Sequence, residues 1–483
     1  MNLGELIEEI RGCVIDGDPS VEVSGIEYDS RRVAEGDLFV AVEGYSVDGH
    51  NYVGDAVKRG AAAVIVGRDV EVPLEIPKVM VPDTRLALSH IADRYFGYPT
   101  RKMDITGVTG TNGKTTTCYL LRSIYRAAGM PVGMLTTVEY VMGDKARRAD
   151  LTTPESLDLQ KIFAGMLESG IKTVAMEVSS HGLALKRVED VQFANAVFTN
   201  ISRDHLDFHA DMEDYVRSKK MLFSRIRMGG VAVLNCDDPH WTDMASVARV
   251  RVVKYGFSEA ADVRGIDLRT TLEGTEIELS LRGEAFKMKS HLVGRHNAYN
   301  IIASVATAFD SGITLDVIGE GVRKLKRVPG RLEPFMLPGG ARGFVDYAHT
   351  PDALEKVLGS LREVTPGRLI SVFGCGGDRD KGKRPLMGQI SARLADFTIV
   401  TSDNPRSEDP GAIIADITAD LNSGKYRVEP DRRKAIEESL AMAKPGDSVL
   451  IAGKGHEGYQ VLGKNRVVFD DRKVILDLGG RKV

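Results

Sequence analysis

The stretch DITGVTGTNGKTTT, residues 104–117, combines an apolar approach, a glycine-rich turn that ends in Gly-Lys-Thr, and the start of a helix. Glycines in such a loop let backbone N–H groups approach phosphate oxygens. The lysine ammonium reaches the terminal phosphates, and the threonine hydroxyl can bind Mg²⁺. Apolar residues at helical spacing follow, and Gly129 supplies a stop. The order strand, loop and helix predicts a nucleotide-triphosphate site.

This loop departs from the strict pattern G-x-x-x-x-G-K-T, because Val108 stands where that pattern has its first glycine. The alternative interpretation is a glycine turn before an ordinary helix. The coincidence of Gly113, Lys114 and Thr115 with the strand–helix context argues against it. We therefore predict a variant phosphate loop over Gly110–Thr116.

The chain has 483 residues, too many for one compact core, which suggests roughly three domains. Its hydrophobic content of 43% and charged content of 27% are typical of globular proteins. A net charge of −4 gives no general attraction to nucleic acid or anionic lipid. Neither nucleic acid nor a membrane is an expected partner.

Cysteine usage and the N-terminus indicate the compartment. Four scattered cysteines lack CxxC spacing, so neither a disulfide framework nor a zinc site is predicted. The segment MNLGELIEEIRG lacks the basic start and apolar core of a signal peptide. Apolar runs fall far below the roughly 20 residues needed to cross a bilayer. We expect a cytoplasmic protein.

The predicted fold class is α/β, with three domains. Residues 1–99 mix short strands with turns and end in a helix, which predicts an N-terminal α/β domain. Over residues 100–330 apolar strands alternate with helices, which predicts a central phosphate-loop ATPase-type domain with a parallel sheet. After the linker KRVPGR, residues 331–483 form the third predicted domain, of Rossmann-like type.

Three strands of the C-terminal part end in polar loops that contain glycine or proline. In open α/β sheets ligands bind outside the carboxyl ends of the strands. We therefore expect three loops to converge on one site, although three unrelated surface loops are the alternative. These loops are CGGDRDKGKRP, DNPRSEDP and GKGHEGYQ.

Metal ligands are expected at strand ends next to the phosphate loop. Glu177 ends the apolar run KTVAM, and His205 lies in TNISRDHLDFH after another strand. The alternatives are a capping or ion-paired glutamate and a hydrogen-bonded structural histidine. The SSH at 179–181 lacks the G-x-S-x-G elbow of a serine hydrolase.

Nine stretches, in the same order along nearly the whole chain, resemble the Mur ligase family, and specifically its branch that adds a diamino acid. They are GVTGTNGKTTT, LTTPESLDLQ, MEVSSHGL, FTNISRDHLDFH, GRHNAYN, VDYAHTPDAL, GCGGDRDKGKRP, DNPRSEDP and GKGHE. The first domain matches as well, from YDSRRVAEGDLFVAVEG onward.

The resemblance implies an ATP-dependent amide-bond ligase of peptidoglycan precursor synthesis. Such an enzyme extends UDP-N-acetylmuramoyl-L-alanyl-D-glutamate by a diamino acid through an acyl phosphate. It uses ATP and Mg²⁺, has only small-molecule partners, and is expected to be a monomer. A carboxylate is a poor acyl donor until one of its oxygens becomes a leaving group, so the protein's task is positioning and charge stabilisation.

The resemblance also implies the site residues. The catalytic residues are Lys114, His205 and Lys219. ATP is bound by Gly110, Thr111, Asn112, Gly113, Lys114, Thr115, Thr116, His296, Asn300, Arg331 and Asp346. The UDP-dipeptide is bound by Tyr28, Ser30, Tyr45, Ser46, Val47, Thr152, Thr153, Ser179 and Arg187.

By the same resemblance, Mg²⁺ is held by Thr115, Glu177, His205 and Lys219, the last as a carbamate (N6-carboxylysine). A carbamate turns a cation into an anion, which suits a magnesium site. The adjacent Lys220 makes a second reading possible, in which either lysine is a solvated helix residue.

The resemblance assigns the amino acid to Arg379, Asp403, Asn404, Pro405, Arg406, Gly453 and Glu457. An arginine can pair with a carboxylate and a glutamate can accept hydrogen bonds from an ammonium, so Arg406 and Glu457 suit an amino-acid head group. meso-Diaminopimelate has a second head group at its far end, whereas L-lysine has only an ammonium, which Arg406 would repel. The alternative is an internal ion pair of Arg406 with Glu408 or Asp409.

Three rival functions remain. One is the same ligase acting on L-lysine, and another is a related ligase such as a folylpolyglutamate synthase. The third is a nucleotide-dependent switch that hydrolyses ATP only to change shape. The DNPR and GKGHE loops and the first domain argue against the last two.

Overall fold

Three large β-sheets organise the chain in a computed structural model, which describes residues 1–44, 47–421 and 424–483. The first sheet has five strands, the second eleven and the third seven, and a two-stranded hairpin follows the last. Helices pack beside the sheets. The predicted α/β fold class is confirmed.

The N-terminal sheet has the strand order β1-β5-β4-β3-β2. Strands β3 and β4 are fully buried, as expected for the apolar runs DLFV and AVIV. The elements are α1 Leu3–Ile7, β1 Val14–Asp16, β2 Gly25–Glu27, β3 Asp37–Val40, α2 Val53–Lys58, β4 Ala63–Val66, β5 Lys78–Met80 and α3 Thr84–Tyr95.

The central part follows a short 3₁₀ helix, Pro99–Lys102. Its strands are β6 Asp104–Thr109, β7 Val132–Leu135, β8 Glu139–Met142, β9 Lys145–Arg148, β10 Thr173–Glu177, β11 Phe193–Phe198, β12 Ile226–Asn235, β13 Arg251–Gly256, β14 Val263–Thr271, β15 Gly274–Leu281 and β16 Glu284–Ser290. Its helices are α4 Lys114–Ala127, α5 Ser156–Glu168, α6 Ser180–Ala184, α7 Met212–Lys220, α8 Trp241–Ala245, α9 Arg295–Asp310 and α10 Leu315–Lys324.

Strand β6 lies between β10 and β11 in the central sheet, and all three strands are parallel. The register pairs Glu177 with Val108 and Phe198 with Thr109. The loops after these strands therefore leave the same edge of the sheet, on both sides of the phosphate loop. The sequence predicted a parallel sheet; antiparallel strands, among them β8, β9, β15 and β16, extend it at both ends.

Helix α4 is fixed by its apolar face. Leu120, Leu121 and Ile124 are fully buried against α9 and α10, in the core on one side of the sheet. A second core, with Phe163 and Phe193, covers the other side. Packing on both faces makes the strand ends a rigid base for a site.

The C-terminal sheet has the order β21-β20-β19-β22-β18-β17-β25. Its strands are β17 Glu333–Met336, β18 Arg342–Asp346, β19 Leu369–Phe373, β20 Phe397–Val400, β21 Tyr426–Val428, β22 Ser448–Ala452 and β25 Arg481–Lys482, and the hairpin is β23 Tyr459–Leu462 with β24 Asn465–Val468. The helices are α11 Pro351–Val364, α12 Lys383–Leu394, α13 Pro410–Thr418, α14 Arg432–Met442 and α15 Asp471–Asp477.

A buried ion pair secures the strand ends of this sheet. Arg432 forms two hydrogen bonds of 2.8 Å to Asp471, and both side chains are fully buried. The same guanidinium donates to the Ala452 carbonyl oxygen, at the end of β22. The loop GKGHE therefore starts from an anchored strand.

The domain boundaries expected after residues 99 and 330 stay predictions. In the described part of the chain, no helix combines the length and the apolar character needed to cross a membrane.

Candidate active site

The phosphate loop connects β6 to α4 and requires glycine at two positions. Gly110 has φ +143° and Gly113 has φ +91°. A Cβ atom at Gly110 would lie 1.9 Å from Thr199 Oγ1, and one at Gly113 would lie 2.4 Å from Asn300 Oδ1. No side chain fits at either position, because neighbouring polar atoms already close around the backbone.

Lys114 folds back over this loop. Its Nζ atom donates hydrogen bonds of 2.8 Å to the carbonyl oxygens of Gly110 and Thr111. Burial lowers the pKa of this ammonium, and the Glu177 carboxylate partly opposes that shift. A negatively charged ligand would relieve the desolvation cost, which is the behaviour expected of a phosphate-binding lysine.

Thr115 and Glu177 form a buried oxygen cluster at the start of α4. The Thr115 hydroxyl donates to Glu177 Oε1 at 2.7 Å, and Arg331 donates to the same hydroxyl at 3.0 Å. Thr137 binds both carboxylate oxygens of Glu177, through its backbone N–H at 2.9 Å and its hydroxyl at 3.0 Å. Hydroxyl and carboxylate oxygens are the protein ligands that Mg²⁺ prefers.

In the described residues, no group of three or more His, Cys, Asp or Glu side chains is placed to hold a metal ion. Thr115 and Glu177 alone would supply two ligands. Mg²⁺ commonly takes the remainder from water and substrate phosphates. The residues present fit an ion that arrives with a nucleotide.

His205 lies on the loop after β11, in a left-handed backbone conformation with φ +56°. Its Nε2 atom is 3.4 Å from Asp204 Oδ2, and its ring meets that of His181 edge-on at 4.8 Å. Burial lowers the pKa of His205 to about 3. The imidazole is therefore neutral near pH 7 and has a lone pair available.

Lys219 belongs to α7 and is 1% exposed, whereas Lys220 is partly exposed. Its Nζ atom donates to the Gly110 carbonyl oxygen at 2.9 Å and lies over the Tyr215 ring. Burial, followed by the positive charge of Lys114, holds the pKa of Lys219 well below its usual value. The charged form of this amine is therefore disfavoured, and the amine adjoins the phosphate loop.

The residues predicted for the rest of the nucleotide lie at the junction with the C-terminal sheet. His296 Nδ1 is 3.1 Å from Ser360 Oγ, and the Arg331 guanidinium stacks on the Tyr347 ring. Asp346 is buried at the end of β18 and accepts the backbone N–H groups of Leu332 and Ala348. Burial raises the pKa of Asp346.

One cavity of about 780 Å³ joins most of these groups. The predicted residues that line it are Thr111–Thr116, Thr152, Thr153, Glu177, Ser179, Arg187, His205, Lys219, His296, Asn300, Arg331 and Asp346. Of the residues predicted for uridine and for the amino acid, none that the structure describes lines it. The phosphate loop, the expected metal ligands and part of the expected peptide site thus share one space.

Sequence reasoning missed several residues of this cavity. Asn235 ends β12, and Asp237 and Asp238 follow it closely, so the rule that identified Glu177, a polar residue at a strand end, would also have identified them. Thr137 and Lys356 also line it, and neither carries a sequence signal of this kind.

The residues predicted for the UDP-dipeptide are divided between the N-terminal and central parts. Tyr28 donates to Asp158 at 2.6 Å and Ser30 is buried, whereas Val47 is more than half exposed. Tyr45 and Ser46 lie outside the described residues.

On the central side, the residues predicted for the peptide hold one another. Thr153 and Ser179 hydroxyls are 3.2 Å apart. Arg187 donates to the Thr153 carbonyl oxygen at 3.1 Å and forms an ion pair with Glu155 at 2.8 Å. Arg85 also pairs with Glu155, at 3.3 Å, so two guanidinium groups share one carboxylate and Arg187 lines the cavity with its charge only partly balanced.

The loops after β19 and β20 meet at Gly376 and Gly377. Gly377 donates its N–H to the Asn404 carbonyl oxygen at 2.9 Å, and Arg406 donates to the Gly377 carbonyl oxygen at 2.7 Å. Arg406 is in the left-handed region, with φ +52°.

The expected alternative for Arg406, an ion pair with Glu408 or Asp409, is wrong. Arg384 occupies both oxygens of Glu408, and Asp409 caps α13 by accepting the Ala412 N–H. Within the described ranges, Arg406 forms no ion pair. Its charge remains available to a carboxylate.

The loop after β22 joins the same group. Lys454 is fully buried and contacts Glu457 and the Asn404 side-chain oxygen, each at 3.0 Å. Asn404 in turn donates to Glu457 at 3.0 Å. Asp403 is buried next to Gly453, where a Cβ atom would lie 2.7 Å from its carboxylate.

Arg379 borders this group, since its Cγ atom would lie 3.9 Å from a Cβ atom at Gly376, but its guanidinium faces the central part. Its side chain is about half exposed and forms an ion pair with Asp207 of the central part, at 3.6 Å. It lines a second cavity, of about 370 Å³, between the two parts.

Three family descriptions match the chain in order. "Mur ligase family, catalytic domain" matches residues 22–96, "Mur ligase middle domain" matches 108–308, and "Mur ligase, glutamate ligase domain" matches 330–455. Curated relatives match over almost the full length. One from Clostridium acetobutylicum is 41% identical and covers 98% of each chain. The chain belongs to the Mur ligase family.

That relative is named UDP-N-acetylmuramoyl-L-alanyl-D-glutamate--2,6-diaminopimelate ligase 1. A relative from Solibacter usitatus has the same name without the final numeral and is 44% identical, over 98% of this chain and 97% of its own. A solved structure titled with that ligase name has a TM-score of 0.70 at 33% identity, over 99% of this Mur ligase and 98% of that chain. The family resemblance predicted from the motifs is confirmed.

Proposed function

We propose that this chain is the ATP-dependent ligase that adds meso-2,6-diaminopimelate to UDP-N-acetylmuramoyl-L-alanyl-D-glutamate. The products are the UDP-N-acetylmuramoyl-tripeptide, ADP and phosphate. The observation that carries the choice of amino acid is Arg406, which forms no ion pair with the residues that the structure describes and lies beside Asn404, the partner of Glu457. We assign UDP-sugar binding to residues 1–99, ATP binding to 100–330 and amino-acid binding to 331–483.

The chemistry has two steps. The glutamate carboxylate of the dipeptide attacks the γ-phosphorus, which forms an acyl phosphate and releases ADP. The amine of the incoming amino acid then attacks the acyl carbon, loses a proton, and displaces phosphate through a tetrahedral intermediate. Most of the protein's contribution is to hold the reactants in line and to stabilise negative charge.

Lys114 and the phosphate loop supply the largest part of that stabilisation. Its ammonium sits over the carbonyl oxygens of Gly110 and Thr111, at the mouth of the loop. Arg331 and Asp346 close the cavity from the C-terminal side, so that both parts contribute to ATP binding.

Mg²⁺ bound here would neutralise the triphosphate and polarise its phosphoryl oxygens. Thr115 and Glu177 would hold one ion, and His205 with a carbamylated Lys219 would hold a second. Thr137 orients Glu177 through two hydrogen bonds. Such partners fix the direction of a metal-binding carboxylate.

Carbamylation of Lys219 is supported by the charge balance around it. A neutral amine can add CO₂ and release one proton, which leaves a carbamate anion. The positive charge of Lys114 disfavours an ammonium at Lys219 and would favour an anion there. Lys220 does not line the cavity.

The reaction consumes ATP and a nucleotide sugar, which places the proposed enzyme in the cytoplasm. Nothing in the reaction requires a second protein chain, and we propose a monomer.

The test is phosphate release by purified enzyme with ATP, the UDP-dipeptide and either meso-diaminopimelate or L-lysine. We expect turnover with diaminopimelate to be the faster by a wide margin. Faster turnover with L-lysine would refute the assignment. Release that does not require both the dipeptide and the amino acid would instead indicate a nucleotide-dependent switch.

A further inference from the structure

The Glu408 carboxylate, two residues after Arg406, is held by another arginine. Arg384 is 1% exposed and donates to Glu408 Oε1 at 2.8 Å and to Oε2 at 3.0 Å. The same Oε1 accepts the Asp378 backbone N–H at 2.6 Å. Lys381 is 3.3 Å from Oε2, but its own side chain is 70% exposed, so water screens that pair.

The two arginines face the same pair of glycines from different sides. Arg406 donates to the Gly377 carbonyl oxygen at 2.7 Å, and Arg384 donates to that of Gly376 at 3.4 Å. A Cβ atom at Gly376 would lie 2.8 Å from Arg406 Nη1, and one at Gly377 would lie 3.3 Å from Glu408 Cβ. The Glu408 side chain and the Arg406 guanidinium are therefore separated by little more than the glycine backbone.

Asp378, another carboxylate near Arg406, is hydrogen-bonded to Ser407. Asp378 accepts the hydroxyl of Ser407 at 2.6 Å and its backbone N–H at 3.2 Å. Asp378 and Arg406 both have positive φ, +53° and +52°. Two side chains in this conformation persist only where surrounding contacts hold them, which the bonds among residues 376–378 and 404–408 do.

We propose that Arg384 is a positioning residue for amino-acid selection, which sequesters the Glu408 carboxylate and leaves Arg406 positively charged and unpaired for the substrate's carboxylate. This inference rests on the proposed role of Arg406. The strength of the Arg384 pair agrees with it, since hydrogen bonds from Arg384, followed by the Asp378 N–H, lower the pKa of Glu408 to about 2.

Loss of Arg384 would leave Glu408 with two nearby cations, exposed Lys381 and Arg406. An ion pair of Glu408 with Arg406 would then compete with the diaminopimelate carboxylate. Removal of the Glu408 charge in the same protein would end that competition. The second substitution is therefore expected to compensate for the first in KM for diaminopimelate, whereas a purely structural ion pair would show such compensation in Tm without a selective change in this KM.

The experiment compares Arg384→Met, Glu408→Gln and the double variant in the full-length enzyme. We expect Arg384→Met to raise KM for meso-diaminopimelate about tenfold or more, with KM for ATP unchanged. Glu408→Gln should stay within about threefold of the parent protein, and the double variant should fall close to Glu408→Gln rather than to Arg384→Met.

Asp416→Asn is the matched control, because Asp416 is the second carboxylate on Arg384, at 2.9 Å, and lies away from the Arg406 loop. It should leave KM for diaminopimelate unchanged. Thermal melting of every variant reports folding. If Arg384→Met does not fold, Arg384→Gln with and without Glu408→Gln gives the same comparison.

The inference is overturned if the double variant is as impaired as Arg384→Met, or if Glu408→Gln alone is equally impaired. Arg406→Ala, measured in parallel, tests the proposed amino-acid site separately from the sequestration of Glu408. If Arg406→Ala leaves KM for diaminopimelate unchanged, the proposed amino-acid site itself is wrong. If it raises KM while the Arg384 and Glu408 effects simply add, only the sequestration is wrong.

Discussion

The phosphate-loop region and the amino-acid loops differ in the partners of their buried cationic side chains. Around the phosphate loop the amines of Lys114 and Lys219 both donate to the Gly110 carbonyl oxygen, and burial lowers the pKa of both. In the C-terminal loops the buried cations pair with carboxylates: Arg384 with Glu408 and Asp416, and Lys454 with Glu457. Arg406, by contrast, forms no ion pair with any of the described residues and donates to carbonyl oxygens instead.

This difference matches the two proposed tasks, which are phosphoryl transfer at the phosphate loop and selection of the amino acid at the C-terminal loops. A poorly solvated ammonium such as that of Lys114 attracts a triphosphate and stabilises the charge that develops during phosphoryl transfer. A neutralised set of loops with one unpaired guanidinium discriminates between amino acids that carry a distal carboxylate and those that do not. The two regions also differ in support, since strand ends hold the first and loop-to-loop hydrogen bonds hold the second.

The largest effect should follow from Lys114→Met. The loss of this ammonium should lower kcat on the order of 10²–10³-fold, because it removes the donor that we propose for the reacting phosphate. Phosphate release under saturating substrates measures it. Lys220→Met is the control, because Lys220 adjoins Lys219 in the sequence but does not line the cavity. This variant should retain near-parent activity. Equal losses would mean that the contrast between the two regions does not hold.

Lys219→Ala should have the next largest effect, a loss of about 10²-fold in kcat, since the variant lacks the anion proposed for the second metal ion. Short-chain carboxylates such as acetate should restore part of the activity by occupying the vacated space. The measurement is rate against carboxylate concentration. A variant that keeps full activity, or one that no carboxylate rescues, would count against the carbamate.

Arg406→Ala should raise KM for meso-diaminopimelate about 30-fold, with little change in KM for ATP, because one charge-assisted interaction with the substrate is lost. The preference for diaminopimelate over L-lysine should narrow in the same variant. Steady-state kinetics with each amino acid measure both. Arg433→Ala, on the exposed face of α14, is the arginine control. An unchanged preference would show that other residues select the amino acid.

The smallest expected effect concerns acid stability at the junction of the two regions. Burial, followed by the charge of Arg331, lowers the pKa of His456 from 6.5 to about 3. Below pH 6.5 the unfolded chain therefore binds a proton that the folded protein does not, and His456 lowers the stability progressively down to about pH 3. His456→Gln should reduce the fall in Tm between pH 7 and pH 5 by a few degrees.

Melting curves over that pH range, with the surface variant His240→Gln as control, measure this effect. His240 is about one-third exposed and should leave the pH dependence as it is in the parent protein. An acid-induced fall in Tm that is the same in His456→Gln and in the parent would refute the prediction.

The sequence predicted the features that depend on short-range pattern. The glycine and lysine spacing of residues 110–115 specified the phosphate loop, and the apolar runs specified the strands that end at Glu177 and before His205. Strand periodicity and turn residues act within a few positions, so they can be read from the chain. The predicted α/β class and the family followed from them.

Other features depended on contacts between distant residues. The sequence alone could not show whether Arg406 pairs with Glu408, two residues away. The competing partner of Glu408 is Arg384, which lies in α12 and is distant in sequence. Arg379 likewise forms an ion pair with Asp207 of the central part, which is distant in sequence. Lys454, buried between Asn404 and Glu457, carried no signal beyond its place in GKGHE.

The sequence by itself determined the order of strands, loops and helices, the phosphate loop, and the family. Local steric and hydrophobic preferences suffice for these. The tertiary structure alone decided which charges are balanced: among the described residues Arg384 has carboxylate partners and Arg406 has none, and the burial of Lys219 at the loop supports the choice made from the resemblance. Burial and charge pairing depend on what the rest of the chain brings within a few ångströms, which no short stretch of sequence specifies.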